Sequence, residues 1–392
     1  MSAVKEMDHV ESEVLRRYGD GAQEVEVGLC CPTEYDIEYL KILPSEIIEK
    51  DYGCGDPSKY IKTGETVLDL GFGAGKICYI LSQKVGASGQ VIGVDFNDKM
   101  LNLARKYQDE MASKIGYANI DFRKGKIQDL ALDLTQIETW LKKNPIKTVE
   151  QIQAFEAECE RIRKHQPLIP DNYIDVIVSN CVLNLVRTEQ KKQLFQEMAR
   201  VLKPGGRAVI SDIVCDQNPT EKVLNDPELW SGCISGAFRE DLFLEMFADA
   251  GFYGIEILVR QEEPWHVIDG IEFRSLTVQA YKGVNETRLE RNQAVIYKGP
   301  WKRVMDDKGL IYNRGTRAAV CDKTYTRMTD PEGPYAKDLF GIEPKEPLPI
   351  EDAHCFKPSR DNTLRDPKET KGNDYHETKS ESGSCCGAGE CC

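Results

Sequence analysis

A short apolar run that leads straight into three alternating glycines constrains this chain more than any other stretch: Val67-Leu68-Asp69-Leu70-Gly71-Phe72-Gly73-Ala74-Gly75. Glycine turns tightly and lets the backbone approach a ligand, so the pattern predicts a strand, a loop and a helix whose N-terminus faces whatever is bound. The periodicity continues with a helix over 77–84, a second apolar run at 90–95 and a helix from about 99 to 115. Strands follow at 120–123 and 174–178, then a helix at 189–202 stopped by Lys203-Pro204-Gly205-Gly206, and a strand at 208–211. Such alternation predicts an α/β fold, a Rossmann-like parallel sheet covered by helices on both faces.

The loop resembles the first motif of S-adenosylmethionine-dependent methyltransferases of class I. A glycine loop alone suits a dinucleotide equally well. Gly-x-Gly-x-Gly with Asp69 two positions before the first glycine better fits a cofactor that carries an ammonium and a sulfonium and no phosphate. Asp95 ends the second strand, where a carboxylate takes both ribose hydroxyls or, alternatively, caps a helix. Asp69, Gly71, Gly73, Gly75, Asp95 and the adjacent Phe96 are therefore cofactor candidates, with Ile127 and Gln128 flanking the adenine and Asn180 at the end of the fourth strand.

A chain of 392 residues exceeds one ordinary domain. We read a helical N-terminal cap over 1–60, with Val10 and Val14 on one helix face and Ile37 and Leu40 one turn apart on a later helix. The methyltransferase domain covers 61–260, with a helical insertion at 130–170. In that insertion Thr148 and Gln151 have capping-box spacing, and Ile152, Phe155, Cys159 and Ile162 share a face. A smaller β-rich C-terminal domain follows at 261–357, with strands near 293–297, 310–312 and 317–321. Residues 358–392 form a polar tail, expected to be disordered, that ends in Cys385, Cys386, Cys391 and Cys392.

A net charge of −14, from 51 basic and 65 acidic residues, disfavours nucleic acid or an anionic membrane as partner. No run of 18 apolar residues or secretory leader is evident, which predicts a cytoplasmic protein, by default a monomer. In that compartment 14 cysteines point to metal binding or redox chemistry rather than to disulfides. Three stand out: Tyr52-Gly53-Cys54-Gly55, Ser179-Asn180-Cys181-Val182 and Gly232-Cys233-Ile234-Ser235-Gly236. Singly, each reads equally well as a turn or packing residue. Brought together, three thiolates make a soft, three-sided cage of the kind trivalent arsenic takes. Cys78, Cys159 and Cys215 are assigned to packing.

Residues 54–252 resemble the arsenite methyltransferase family. The resemblance rests on Tyr52-Gly53-Cys54-Gly55, the glycine loop, Cys78-Tyr79-Ile80-Leu81-Ser82-Gln83, the Asn180-Cys181 strand end and Lys203-Pro204-Gly205-Gly206. It also rests on Ser211-Asp212 and on Leu229-Trp230-Ser231-Gly232-Cys233 with Gly236-Ala237. It implies that Cys54, Cys181 and Cys233 act catalytically by ligating arsenic(III), that S-adenosylmethionine donates the methyl group, and that arsenite or methylarsenite is the substrate. It further implies a thiol reductant, glutathione or thioredoxin, with Cys30 or Cys31 helping to exchange thiols. The insertion, Phe72 and the C-terminal part depart from the family pattern. The competing readings are a small-molecule C-, O- or N-methyltransferase, which would need an acid–base group beside the methyl, and a cysteine-rich metalloid-binding protein without turnover.

Overall fold

The computed structural model describes residues 2–26, 33–283, 287–357 and 364–371, with residues 2–10 as backbone alone. It divides into two compact units, Met1–Val284 and Asn285–Cys392. Cys30, Cys31 and the four terminal cysteines lie outside the described residues.

The first unit opens with α1 (Ser2–Gly21), α2 (Ile37–Leu40) and α3 (Ser45–Glu49). Val14 is buried, whereas Ile37, expected on a packed face, is exposed. The sheet begins with β1 (Thr66–Leu70), α4 (Lys76–Val85) and β2 (Gln90–Asp95). The single helix expected over 99–115 is two, α5 (Asp98–Lys106) and α6 (Gln108–Ile115), because Tyr107 leaves helical geometry at φ −103°. Next come β3 (Ile120–Lys124), α7 (Leu134–Lys143), α8 (Val149–His165), β4 (Ile174–Asn180) and α9 (Thr188–Val201). The capping box of Thr148 and Gln151 starts α8, and Cys159 and Ile162 bury its inner face against Ile137 of α7.

After β5 (Leu202–Cys215) the chain forms α10 (Glu221–Leu224), α11 (Pro227–Ser231), β6 (Phe238–Arg239) and α12 (Glu240–Asp249). It then returns through β7 (Phe252–Arg260), β8 (His266–Ile268) and β9 (Ile271–Lys282). The glycines after Pro204 do not precede the strand. They sit inside β5 as a bulge, where pairing with β4 jumps from Ile174↔Leu202 to Val176↔Arg207.

The sheet runs β3-β2-β1-β4-β5-β9-β7, with β6 on β5 and β8 on β9. The first five strands are parallel, and β9 pairs antiparallel with both β5 and β7. This pairing corrects the expected domain boundary at 260, because Arg207↔Tyr281 through Cys215↔Phe273 tie residues beyond it into the sheet. Alternation along each strand separates two cores. Leu68, Leu70, Ile92 and Ile177 pack with Phe195, Phe243 and Phe247, while Val67, Val91, Val176 and Val178 pack against Ile77, Ile80 and Leu81 of α4. Phe195 and Phe247 meet edge-on at 4.8 Å. Among the described residues, no helix is long and apolar enough to cross a membrane.

The second unit holds β10 (Ala294–Tyr297) between β13 (Arg317–Ala319) and β14 (Leu339–Ile342), a hairpin of β11 (Arg303–Met305) and β12 (Ile311–Asn313), and α13 (Asp322–Thr329). The tail expected to lack structure from 358 contains a helix, α14 (Pro367–Lys371), preceded by buried Arg365, which pairs with Glu290 at 2.6 Å and Glu369 at 2.9 Å.

Candidate cofactor cleft and thiol chamber

Strand order reverses between β1 and β4, the place where open α/β sheets bind ligands beyond their carboxyl ends. A cleft enclosing about 1030 Å³ of non-atom space, its mouth included, opens there. Its wall includes Asp69, Gly71, Gly73, Asp95, Phe96, Ile127, Gln128 and Asn180. Gly71 and Gly73 have φ of 70° and 55°, and a side chain on Gly73 would meet nothing within 4 Å, so its absence leaves space a ligand can fill. Gly75 is not in the wall. It is the left-handed N-cap of α4, and a Cβ there would press on Ala104 at 3.1 Å, so its role is packing.

Asp69 and Asp95 are both buried. Burial pushes the Asp69 carboxyl up to about 7, against a hydrogen bond that the Cys78 thiol donates to it at 3.2 Å. Asp95 rises to about 6 through burial, moderated by the N–H groups of Asn97 at 2.9 Å and Gly73 at 3.0 Å. Two desolvated carboxylates facing one cleft fit a cationic, hydroxyl-bearing ligand, which restores the interactions they lost on leaving water. The sign of the pH effect follows. A cation favours ionised Asp69, which with a pKa near 7 is about one-tenth populated at about pH 6 and about three-quarters at about pH 7.5. The dissociation constant of the cofactor, measured by calorimetry, should be roughly eightfold larger at the lower pH. Asp69→Asn should bind weakly and lose most of that dependence, keeping the about twofold part that Asp95, raised to about 6, contributes.

The second feature lies behind the cleft. The sulfurs of Cys54 and Cys181 and a carboxylate oxygen of Asp212 all lie within 4.8 Å of one another, and all three residues are buried. Cys233 is not in that trio but adjoins it, its thiol donating to the Cys181 carbonyl at 3.1 Å. Burial raises the Cys54 thiol and, more strongly, that of Cys181, whose sulfur lies beside both neighbouring thiols. Cys181 and Cys233 each adopt a left-handed backbone with φ of 64°. A non-glycine residue there costs roughly 1–2 kcal/mol, an expense that a residue chosen only to fill space would not carry.

Asn180 was expected to touch cofactor. Although it lines the cleft, its amide is occupied elsewhere: Oδ1 accepts from the N–H of Cys54 at 2.8 Å and of Gly55 at 3.0 Å. Its Nδ2 donates to the Gly55 carbonyl at 2.7 Å and to the Tyr35 hydroxyl at 3.0 Å. The flanking glycines are needed because a Cβ on Gly53 would run into Asn180 and one on Gly55 would stand 2.6 Å from Ser211 Oγ. Asn184 holds the third arm, donating to the Cys233 carbonyl at 3.1 Å and the Ile213 carbonyl at 2.7 Å.

Sequence reasoning assigned Cys78 to packing and gave no site role to Tyr18 or to Asp212. Asp212 is a charge inside the apolar run of β5, which was a usable signal. Tyr18 of α1 lines the cleft and puts its hydroxyl 3.7 Å from the Cys233 sulfur. Cys215 stays in the core, its thiol donating to the Phe238 carbonyl at 3.3 Å.

A methyltransferase-domain profile matches residues 61–167 and 152–251, and a profile described as a domain of unknown function matches 285–375. The chain is 31% identical over 343 residues to an arsenite methyltransferase of Aquipseudomonas alcaligenes, an alignment covering 82% of this chain and 88% of that protein. It is 28% identical over 405 residues to the arsenite methyltransferase of Homo sapiens, covering 99% and 97%. The crystal structure of an arsenic(III) S-adenosylmethionine methyltransferase from Chlamydomonas reinhardtii superposes with a TM-score of 0.53 at 24% identity, over 81% of this chain and 99% of that one. That likeness shows the shared fold, a class I methyltransferase sheet.

Proposed function

Because the chain belongs to the arsenite methyltransferase family and methylates arsenite with S-adenosylmethionine as donor, we propose that Cys54, Cys181 and Cys233 are the thiolates that hold arsenic(III) during transfer. One observation carries this reading: Cys181 lines the cofactor cleft, its sulfur lies within 4.8 Å of that of Cys54, and its carbonyl accepts the Cys233 thiol, so a guest held by the three sulfurs borders the donor's space.

S-adenosylmethionine, when bound, supplies the methyl group that arsenic accepts. Asp69 would hold its cationic end and Asp95 its ribose hydroxyls, while the open backbone at Gly73 would admit it closely. Ile127 and Gln128 flank the adenine. Capture of arsenite forms three As–S bonds and expels its three oxygens as water, each taking one thiol proton. Three sulfurs leave the arsenic lone pair on the open side of a pyramid, and the buried chamber keeps water off it. Arsenic carries no proton to remove, so no general base is needed at the methyl-transfer step. Gaining a methyl makes arsenic pentavalent. Two thiols must then give up an electron each, closing a disulfide and returning arsenic to the trivalent state, and glutathione or thioredoxin reopens that disulfide. The eight cysteines of the described residues are all free thiols, which suits the reducing cytoplasm. We assign the chain there, as a monomer that takes arsenite or methylarsenite and engages neither membrane nor nucleic acid.

The test is to incubate purified protein with arsenite, labelled cofactor and a thiol reductant and to separate methylated arsenicals by chromatography. Label should enter arsenic with the wild type, and Cys233→Ser should lower that rate at least about tenfold without changing cofactor affinity. Full turnover in Cys233→Ser would remove this cysteine from the cage.

A further inference from the structure

The tightest set of ligand atoms in the chamber is not three sulfurs. It is two sulfurs and an oxygen, from Cys54, Cys181 and Asp212. Arsenic(III) gains nothing from that oxygen, because a pyramidal guest with an outward lone pair is complete with three thiolates. A d¹⁰ divalent ion has the opposite demand. It takes a tetrahedral set of thiolate and carboxylate donors, with metal–sulfur bonds near 2.3 Å and metal–oxygen bonds near 2.0–2.2 Å. In such a tetrahedron adjacent sulfurs stand roughly 3.8 Å apart. Starting from no more than 4.8 Å, closure asks for about 1 Å, within reach of side-chain rotation.

Asp212 is built to serve. Its Oδ2 accepts from the Leu183 N–H at 2.8 Å and its Oδ1 from the Ile213 N–H at 2.8 Å. These bonds fix the carboxylate and leave each oxygen a further lone pair. Buried Lys191, close enough to attract Asp212, donates to the Gly236 carbonyl and lies 3.8 Å over the Phe238 ring. Two thiolates, one carboxylate and a divalent ion sum to a single negative charge, which this ammonium balances. The fourth position is left for a water or an added anion, because the Cys233 sulfur stands outside this set.

We propose that Cys54, Cys181 and Asp212 form a second donor set in the chamber, one that binds a thiophilic divalent cation such as zinc or cadmium and thereby blocks arsenic capture. Binding releases two protons, one from each thiol, to solvent, and no oxidation occurs. The block depends on the arsenic assignment of Cys54 and Cys181, whereas cation binding does not.

Cobalt(II) is the probe, titrated into the full chain under a phosphine reductant, with zinc then tested as an inhibitor of methylation. The wild type should show the visible bands of tetrahedral cobalt and a sulfur-to-cobalt charge-transfer band. Cys181→Ser should lose this component, which separates it from cobalt held by other cysteines. Asp212→Asn should weaken cobalt binding and raise the zinc concentration for half-inhibition, each at least about tenfold. Should Asp212→Asn fail to fold, the cadmium NMR resonance of wild-type protein decides, since a mixed sulfur–oxygen site and an all-sulfur site resonate in different regions. Cobalt bands unchanged in Cys181→Ser, equal cobalt affinity in Asp212→Asn, or an all-sulfur cadmium resonance would overturn the proposal. Zinc that leaves a normal arsenite turnover untouched sinks this inference alone, while arsenite turnover that survives loss of Cys181 sinks the arsenic assignment and leaves the cobalt result standing.

Discussion

Cys181→Ser should reduce arsenite methylation by at least about a hundredfold, roughly 2.7 kcal/mol of lost transition-state stabilisation, while cofactor affinity stays at the wild-type value. A hydroxyl is a hard, protonated oxygen at neutral pH and does not replace a thiolate toward arsenic. A companion variant separates chemistry from packing. Cys181→Gly loses the same turnover, yet glycine adopts φ of 64° without the roughly 1–2 kcal/mol of left-handed strain. That relief offsets the lost burial of one small side chain, so urea unfolding of Cys181→Gly should fall within about 1 kcal/mol of wild type. A residue kept only to fill the turn would show the reverse, with normal methylation and a marked loss of stability.

The second large effect belongs to a side chain that touches no reacting atom. Asn180→Ala removes four hydrogen bonds and strands the N–H groups of Cys54 and Gly55. Each part-buried donor left unpaired costs about 1–3 kcal/mol, so the variant should lose about 2–6 kcal/mol and melt roughly 10 °C lower. The Cys54 arm then drifts, and the KM for arsenite rises more than kcat falls. Asn180→Asp keeps Oδ1 as acceptor while giving up the two donated bonds, and should recover most of the lost arsenite affinity. Equal affinities in the alanine and aspartate variants would show that the Cys54 turn holds itself.

What could be read in the sequence follows the reach of each interaction along the chain. The strand, glycine loop and helix from Val67 through Val85 are set by neighbouring residues, and their positions match the periodicity closely. The capping box at Thr148 is equally local. The boundary expected at 260 fails because β9 returns antiparallel to β5 from about 65 residues away (Ser211↔Thr277), and no local pattern reports such pairing. Asn180 lines the cleft as expected, but its hold on the Cys54 turn was hidden for the same reason, since its partners Cys54 and Gly55 stand some 125 residues upstream. The three cysteines were visible through their contexts. Asp212 was not singled out, because one carboxylate in an apolar strand declares no partner until the fold brings Cys54 and Cys181 beside it.

Leu70 and Ser179 are paired in the ladder that joins β1 to β4, and the Ser179 hydroxyl donates to the Leu70 carbonyl at 3.0 Å. The loop that receives the donor begins one residue after Leu70, and Cys181 stands two residues after Ser179. The two halves of the reaction are thus mounted on a common rail. When the protein breathes, both ride the same pair of strands, so on the proposed assignment the gap across which the methyl must travel is held by a buried, hydrogen-bonded seam rather than reset by a hinge at every turnover.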